Sequence, residues 1–258
     1  MCREPQMSAL RFVHAGLSDP GRVRKENQDG WTARVRDGLF IVSDGMGGAF
    51  RGGLASRIVV ETLPALVAER LGNVRDLSGT AAREGLGTAI SELSAHLRRE
   101  TDGEPGLSGM GATVVAAVIR GRRALVGHLG DSRAYLLREG RLARLTEDHS
   151  LVRLLLSQGE ITPEEAARHP ARGRLTRCVG MPGAAMPGIR CPDLRPADRL
   201  LLCTDGLTSM VPDDRISALM APPLSPAGAC GRLVSAANLA GGKDNITVLI
   251  ISILPASA

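Results

Sequence analysis

Four apolar segments follow one another closely between residues 113 and 146, and they constrain the fold more than any other feature of the chain. Each segment is rich in strand-forming residues, and the turns that separate them are short: Arg-Gly-Arg-Arg, Gly-Asp and Arg-Glu-Gly. Segments of this kind joined by such turns predict an antiparallel meander. The predicted strands span residues 113–119, 124–129, 132–137 and 142–146.

Helical and strand-like segments alternate along the rest of the chain. Apolar residues at helical spacing predict helices, and short apolar runs of strand formers predict strands. A Thr-Pro-Glu-Glu sequence at residues 162–165 adds a helix start. Antiparallel strands with helices grouped between them indicate an α+β sandwich rather than a doubly wound parallel sheet. The predicted helices span residues 54–71, 80–99, 151–158, 213–220 and 226–239, and the further strands span residues 39–43, 188–191, 199–204 and 246–253.

Length and cysteine content bound the organisation of the chain. No linker convincingly divides the 258 residues, so we expect a single domain over residues 1–258. No apolar run reaches the roughly 18 residues of a membrane span, and the first residues lack the apolar stretch of a secretory signal. The five cysteines form no Cys-x-x-Cys pair, which argues against a disulfide framework and a thiolate zinc site. We therefore expect a cytoplasmic protein with reduced thiols.

The net charge of +5 raises the question of nucleic-acid binding. Only two lysines contribute to it, and the arginines are spread along the chain rather than clustered. Aromatic residues make up 2% of the chain, which leaves few rings on which bases could stack. These observations favour a solvated basic surface over a nucleic-acid partner, and they weaken the hypothesis of a two-metal nuclease.

Three predicted apolar strands run directly into an aspartate, and a fourth aspartate stands just before a strand. These acids are Asp44, Asp131, Asp205 and Asp244. Each Asp-Gly pair taken alone also fits a hairpin turn, which is the commoner role of that dipeptide. Four such acids favour a shared site, because strands of one sandwich lie side by side and their ends can converge at one rim.

Converging carboxylates repel one another unless a cation neutralises them. Oxygen ligands without histidine or cysteine select Mg²⁺ or Mn²⁺ over zinc, and a glycine after the acid keeps the backbone open, so that a main-chain carbonyl can join the ligands. Upstream, Arg24 offers a side chain that can grip a phosphate through two parallel hydrogen bonds. Taken alone, the stretch around Arg24 also fits a charged surface loop.

Six short motifs contain these residues, in this order: Arg24-x-x-Asn27-Gln28-Asp29, Asp44-Gly45-Met46-Gly47-Gly48, Gly109-Met110-Gly111-Ala112-Thr113, Gly130-Asp131-Ser132-Arg133, Asp205-Gly206 and Gly242-x-Asp244-Asn245. As a set they resemble the motif series of the type 2C metal-dependent protein phosphatases, in its bacterial branch. The order and the approximate spacing match over nearly the whole chain.

This resemblance implies a four-layer α/β/β/α sandwich of two antiparallel β-sheets flanked by helices, with metal ions at one end. It also implies hydrolysis of phosphoserine and phosphothreonine in proteins, by a water molecule that two Mn²⁺ or Mg²⁺ ions activate for attack on phosphorus. By motif position, Asp44 would bridge the two ions and the carbonyl of Gly45 would bind one of them. Asp205 and Asp244 would complete the shell of the other, and Asp131 would support a third, weaker ion.

The same motifs imply roles for residues around the ions. Gln28, Asp29 and Asn245 would form the second shell, where Gln28 and Asp29 hold metal-bound waters. Arg24 would grip the substrate phosphate, and we expect Arg24 and Asp29 to be catalytic.

The sequence departs from the family pattern near Asp44. Bacterial members commonly have a histidine where this chain has Ala49, and a glutamate where it has Gly53; animal-type members place a histidine where it has Met46. We therefore hypothesise that a metal-bound water, rather than a local histidine, protonates the leaving alkoxide. The alternatives are His128 and His149, for which structural roles are expected.

Residues 148–187 occupy the place of the family's flap, a variable segment beside the site. Its arginines either steer a phosphorylated protein electrostatically or belong to a solvated loop, and both alternatives stay open: Arg168, Arg172, Arg174 and Arg177. The resemblance further implies a serine/threonine kinase and its substrates as partners, and a monomer. The competing hypothesis is a non-catalytic relative that serves as a phosphate-dependent binding or regulatory module, and the retained acids argue against it.

Overall fold

The computed structural model describes residues 10–47, 51–102, 104–107 and 109–255, so that Cys2, Gly48 and Ala49 lie outside the described residues. Within these ranges the strands are β1 (Arg11–Asp19), β2 (Asp29–Arg34), β3 (Leu39–Met46), β4 (Gly111–Ala112), β5 (Val114–Arg120), β6 (Arg123–Leu129), β7 (Arg133–Arg138), β8 (Arg141–Arg144), β9 (Gly188–Arg190), β10 (Arg199–Cys203) and β11 (Ile246–Leu254). The helices are α1 (Arg51–Leu71), α2 (Thr80–Thr101), α3 (Leu151–Gln158), α4 (Pro163–Arg168), α5 (Asp205–Thr208), α6 (Asp213–Met220) and α7 (Pro226–Leu239).

The strands form two antiparallel sheets. The first has the strand order β1-β11-β10-β7-β8, and the second has the order β2-β3-β5-β6-β9 with β4 paired to β3. The predicted α+β class is confirmed.

Alternation along β3 shows how the layers arise. Leu39 and Ile41 belong to a core cluster shared with α1 and α2, whereas Phe40 and Val42 belong to a cluster between the two sheets. Successive side chains of a strand point to opposite faces, so a wholly apolar strand is buried on both. The strand β10 divides its side chains in the same way, between the other sheet and the helices α6 and α7. The result is the predicted helix–sheet–sheet–helix sandwich.

The predicted meander is wrong at one link. The strands β5 and β6 form a hairpin and so do β7 and β8, but β6 and β7 lie in different sheets. Gly130 and Asp131 therefore carry the chain from one sheet to the other. Gly130 has a φ of 113°, in the region that favours glycine. The sequence could not reveal this switch, because strands buried on both faces lack the polar alternation that would assign them to a sheet.

The other predicted elements agree with the structure to within a few residues, and the predicted bounds of α3, α6 and α7 are those observed. The start of α4 carries a capping box, in which Thr162 Oγ1 accepts from the Glu165 amide and Glu165 Oε2 accepts from the Thr162 amide. The strands β1, β2 and β4 and the helix α5 were not predicted. None of the helices in the described ranges has both the length and the apolar character that crossing a membrane requires.

Candidate active site

A cavity of about 720 Å³ brings most of the predicted site residues together. Its lining includes eight of them: Arg24, Gln28, Asp44, Gly45, Asp131, Asp205, Asp244 and Asn245. The ninth, Asp29, is the cross-strand partner of Asp44 in the β2–β3 pair. Residues that are distant in sequence, such as Arg24 and Asp244, which are 220 positions apart, therefore meet at one place.

The Asp-Gly pairs are not hairpin turns in this fold. Asp44 and Gly45 lie inside β3, and Asp205 is the first residue of α5, directly after β10. Asp131 lies where the chain changes sheets, and Asp244 lies just before β11. Both sheets thus contribute acids to the cavity.

The pairing of Asp29 with Asp44 was not foreseen, because β2 was not predicted. Directly opposed residues of antiparallel strands have Cβ atoms about 4.5–5.5 Å apart, and like charges in such a pair destabilise the sheet. Asp29 Oδ2 accepts a hydrogen bond from Thr204 Oγ1 at 2.9 Å, but Asp29 Oδ1 is buried without a partner among the described residues. This arrangement needs positive charge close by.

Hydroxyl groups to which the motifs assigned no role hold the acids in place. Thr113 Oγ1 accepts from the Asp44 amide at 2.9 Å, and the Thr113 amide donates to the Asp44 carbonyl at 2.8 Å. Ser132 Oγ lies 2.6 Å from Thr113 Oγ1. Thr204 Oγ1, which binds Asp29, also accepts from the Thr247 amide at 3.0 Å. In the sequence, Ser132 and Thr204 are each adjacent to a motif acid and Thr113 ends one of the glycine-rich motifs, whereas Thr247 carries no such signal.

Asn245 organises the loop that carries Arg24. Its Nδ2 donates to the carbonyls of Pro20 and Glu26, and its Oδ1 accepts from the Gln28 amide at 2.8 Å. One buried side chain therefore fixes both ends of this loop next to Asp244. Its contacts in the structure are with backbone atoms, which makes Asn245 a positioning residue.

Burial and mutual repulsion raise the pKa values of the clustered acids. Burial, followed by the charge of Asp244, raises the pKa of Asp205 to about 6. The pKa values of Asp29 and Asp131 rise to about 7, again mainly through burial and then with a contribution from Asp205. Burial, Asp29 and Asp205 raise the pKa of Asp44 well above its usual value. The positive side chains nearby are thus too few to keep the pKa values of these four aspartates in their usual range.

Arg133, a largely buried arginine two residues after Asp131 in the chain, already pairs with another carboxylate. Its Nε and Nη2 donate to the two oxygens of Asp148, at 3.0 and 2.7 Å. Its Nη1 donates to the hydroxyl of Tyr135, which in turn donates to Asp213. Arg133 lowers the pKa values of Asp131 and Asp205, but burial and the surrounding acids outweigh it.

The donor set fits divalent cations that prefer oxygen ligands. One oxygen of Asp205, like one of Asp29, is buried without a partner in the described chain, and such orphaned acceptors are costly unless a cation or water binds them. Over the same residues, no group of three or more His, Cys, Asp or Glu is arranged to hold one ion by side chains alone. Ions here would therefore also need backbone carbonyl and water ligands, as Mg²⁺ commonly does. Asp244 pairs with Arg24, with Oδ2 and Nη2 2.7 Å apart.

We expect Gly206→Ala to destabilise the protein by about 3 kcal/mol, because an added methyl group would overpack this site. A Cβ atom there would lie 1.9 Å from the carbonyl oxygen of Asn245, a backbone atom that cannot move freely. The matched control is Gly231→Ala in α7, where a Cβ meets nothing within 4 Å and the helix should gain roughly 0.5–1 kcal/mol. Urea denaturation of both variants measures these changes, and equal midpoints would contradict the expectation.

Comparison with known proteins decides the family. The sequence profile described as Protein phosphatase 2C matches residues 22–240 of the chain. The chain belongs to the protein phosphatase 2C family. This confirms the resemblance read from the motifs and the predicted class of enzyme, a metal-dependent serine/threonine protein phosphatase.

Bacterial members of this family are similar to the chain over nearly its full length. The serine/threonine phosphatase stp of Listeria welshimeri is 36% identical over 243 residues, which cover 93% of this chain and 95% of that protein. The serine/threonine protein phosphatase PstP of Mycobacterium tuberculosis is 37% identical over 246 residues, 95% of this chain and 46% of PstP. A crystal structure of a PstP catalytic domain in complex with two manganese ions superposes with a TM-score of 0.78 at 34% identity, and covers 95% of this chain and 99% of that one.

The structure places the two histidines named as alternative proton donors, and the flap, relative to this cavity. Neither His128 nor His149 lines it; both line a second cavity, where their rings stack with centroids 4.6 Å apart. Of the flap, Gly173, Leu175, Cys178 and Met181 line the first cavity, whereas Arg177 lines the second.

Proposed function

We propose that the 720 Å³ cavity is the active site, where two divalent cations, Mn²⁺ or Mg²⁺, support the hydrolysis of phosphoserine and phosphothreonine in proteins. The observation that carries the proposal is a cluster of five aspartates with an arginine at its edge, in which the pKa values of Asp29, Asp44, Asp131 and Asp205 are raised and one oxygen each of Asp29 and Asp205 is orphaned. Carboxylates kept this close without a fixed counter-charge are typical of sites that recruit cations.

The ligand assignments follow the position of each acid. Asp44 and the carbonyl of Gly45 would hold the ions from β3, Asp205 and Asp244 would hold them from the other sheet, and Asp131 would hold a third, weaker ion. When bound, the cations polarise a phosphoryl oxygen and lower the pKa of a water molecule. Asp44, Asp131 and Asp205, whose pKa values are raised in the metal-free protein, would be ionised beside the cations.

Arg24 would bind the phosphoryl group of the substrate. Its side chain lines the cavity, is about half exposed and donates Nη2 to Asp244, and its guanidinium has further N–H groups that can donate to a phosphate. Asp29, held by Thr204, would accept a hydrogen bond from a water molecule. No histidine of the described residues lines this cavity, which supports a water molecule as the proton donor to the leaving alkoxide.

We also propose how the chain is organised, where it acts and on which substrates. Residues 1–258 would form one catalytic domain, with residues 148–187 as a flap beside the cavity. We propose a monomer that acts in the cytoplasm on the substrates of a serine/threonine kinase; the four described cysteines are unpaired thiols, as a reducing compartment requires. The alternative, a non-catalytic binding module, would not need the full set of acids.

The proposal is tested by hydrolysis of a phosphothreonine peptide with Mn²⁺ and after chelation. We expect turnover only with Mn²⁺. Arg24→Gln should raise KM about tenfold or more, because a hydrogen bond between charged groups contributes roughly 1.5–3 kcal/mol. The matched control is Arg36→Gln, an exposed arginine outside the cavity, which should have no effect. Absence of turnover by folded, metal-loaded protein would favour the binding module, and cleavage of single-stranded nucleic acid would favour a nuclease.

A further inference from the structure

A second cavity, of about 680 Å³, lies beneath the flap and shares no lining residue with the first. Its walls come from the segment that contains β8 and the start of α3, from residues 176–177 and from β9. The volume is within the range of pockets that bind small molecules or peptide side chains. Nothing in the proposed reaction uses this cavity.

Positive charge dominates its lining. Four arginines, Arg144, Arg153, Arg177 and Arg190, face two acids, Glu147 and Asp148. Both oxygens of Asp148 already accept hydrogen bonds from Arg133, which does not line the cavity, and Asp148 Oδ1 also pairs with Arg144. Glu147 pairs with Arg153, with Oε1 and Nε 2.6 Å apart. The carboxylates therefore do not balance the guanidinium groups that line the cavity.

The two histidines in the wall, His128 and His149, have lowered pKa values and are therefore neutral at pH 7. Burial, followed by the neighbouring charges of His128 and Arg177, lowers the pKa of His149 to about 3. Burial also lowers the pKa of His128, whose Nε2 lies 2.8 Å from the Glu147 carbonyl. Leu154 and Ile189 complete the wall as apolar surface.

We propose that this second cavity binds a phosphoryl group, as inorganic phosphate or on a phosphorylated side chain, chiefly through Arg153, Arg177 and Arg190. The planar guanidinium matches phosphate through paired hydrogen bonds, and several guanidinium groups around one cavity select a dianion over a neutral ligand. Arg177 uses Nη1 for the Met186 carbonyl, at 2.9 Å, which fixes the orientation of its remaining donors.

The location connects the second cavity with the acids of the first. The flap residues Leu175 and Cys178 line the first cavity, while the intervening Thr176 and Arg177 line the second. His149 binds both backbone polar groups of Gly130: its amide donates to the Gly130 carbonyl at 3.0 Å, and its Nδ1 accepts from the Gly130 amide at 3.2 Å. Gly130 precedes Asp131 in the chain. A ligand beside His149 would therefore contact a residue that hydrogen-bonds the backbone next to the acid cluster.

The test is titration of metal-free protein, prepared on a chelating resin, with inorganic phosphate by calorimetry. Without cations the first cavity presents uncompensated carboxylates that repel phosphate, so saturable binding reports the second cavity. We expect Arg153→Gln/Arg190→Gln to weaken binding about tenfold or more, because charge-assisted hydrogen bonds are lost. Arg153→Lys/Arg190→Lys should retain part of the affinity.

The matched control is Arg122→Gln/Arg141→Gln, two exposed arginines outside both cavities. Absence of saturable phosphate binding, or equal binding by the wild type and the Arg153→Gln/Arg190→Gln variant, would overturn the proposal. The source of the phosphoryl group is identified by repeating the titration with a phosphothreonine peptide. Tighter binding of the peptide than of phosphate identifies a phosphorylated chain as the ligand, and binding of phosphate alone identifies the free ion. Because no turnover is measured, the outcome does not depend on the proposed phosphatase reaction.

Discussion

Replacing Asp205 with asparagine is expected to reduce the hydrolysis of a phosphothreonine peptide in Mn²⁺ by about three orders of magnitude, since cation charge contributes several kcal/mol to the stabilisation of such transition states. Asparagine keeps the shape of the side chain but removes the negative charge that would hold a cation at the bottom of the cavity. The measurement is kcat/KM at saturating Mn²⁺. The matched control is Asp193→Asn, an acid with a side chain that is 74% exposed and distant from the cavity lining, and this variant should keep full activity.

The same substitution should stabilise the metal-free protein. The pKa of Asp205 rises from 3.8 to about 6 on folding, which corresponds to a cost of about 3 kcal/mol at neutral pH. Asparagine does not ionise, so the cost disappears, and Tm should increase by roughly 5–10 °C for a chain of this size. Loss of activity together with loss of stability would instead show that Asp205 has a structural role.

The stability of the metal-free protein should increase as the pH falls from 8 to 6.5. The pKa values of Asp29 and Asp131 are raised to about 7, and that of Asp44 is raised well above its usual value, so the folded state binds protons in this window and the unfolded state does not. A group with a raised pKa in the folded state favours folding once it is protonated, so the sign is opposite to ordinary acid denaturation. The expected gain in the free energy of unfolding is roughly 2–4 kcal/mol.

Below pH 6.5 the two buried histidines oppose this trend. The pKa values of His128 and His149 are lowered in the folded protein, so their contribution to stability is complete above pH 6.5 and is lost as the unfolded state takes up protons. Because four aspartates with raised pKa values take up protons in the folded state over the same range, we expect the two histidines to reduce the gain in stability below pH 6.5 without reversing it. Urea denaturation at several pH values, with and without Mn²⁺, measures both effects. Saturating Mn²⁺ should abolish the increase between pH 8 and 6.5, and a flat profile without metal would contradict the electrostatic account.

The candidate site could be predicted largely from short motifs, because its acids lie next to apolar strand segments and glycines that are recognisable in the sequence. An apolar strand that ends in Asp-Gly can be recognised from the sequence alone, and so can helix signals such as the capping box at Thr162 and Glu165. The hydroxyl groups that hold the acids were not predicted. Thr113 contacts Asp44, Thr204 contacts Asp29 and Thr247 contacts Thr204 only because the sheets bring distant strands together.

The sequence by itself determined the class of fold, nearly all helices and the identity of the acids, because these depend on periodicity and on residues close to one another in the chain. Only the tertiary structure decided that Asp29 opposes Asp44, that Gly130 and Asp131 cross between sheets, and that arginines from β8, α3 and β9 surround a second cavity. The physical reason is that strands buried on both faces have no polar side to indicate their partner. Pairing and cavity formation therefore depend on contacts between residues that are distant in sequence, and local patterns do not record them.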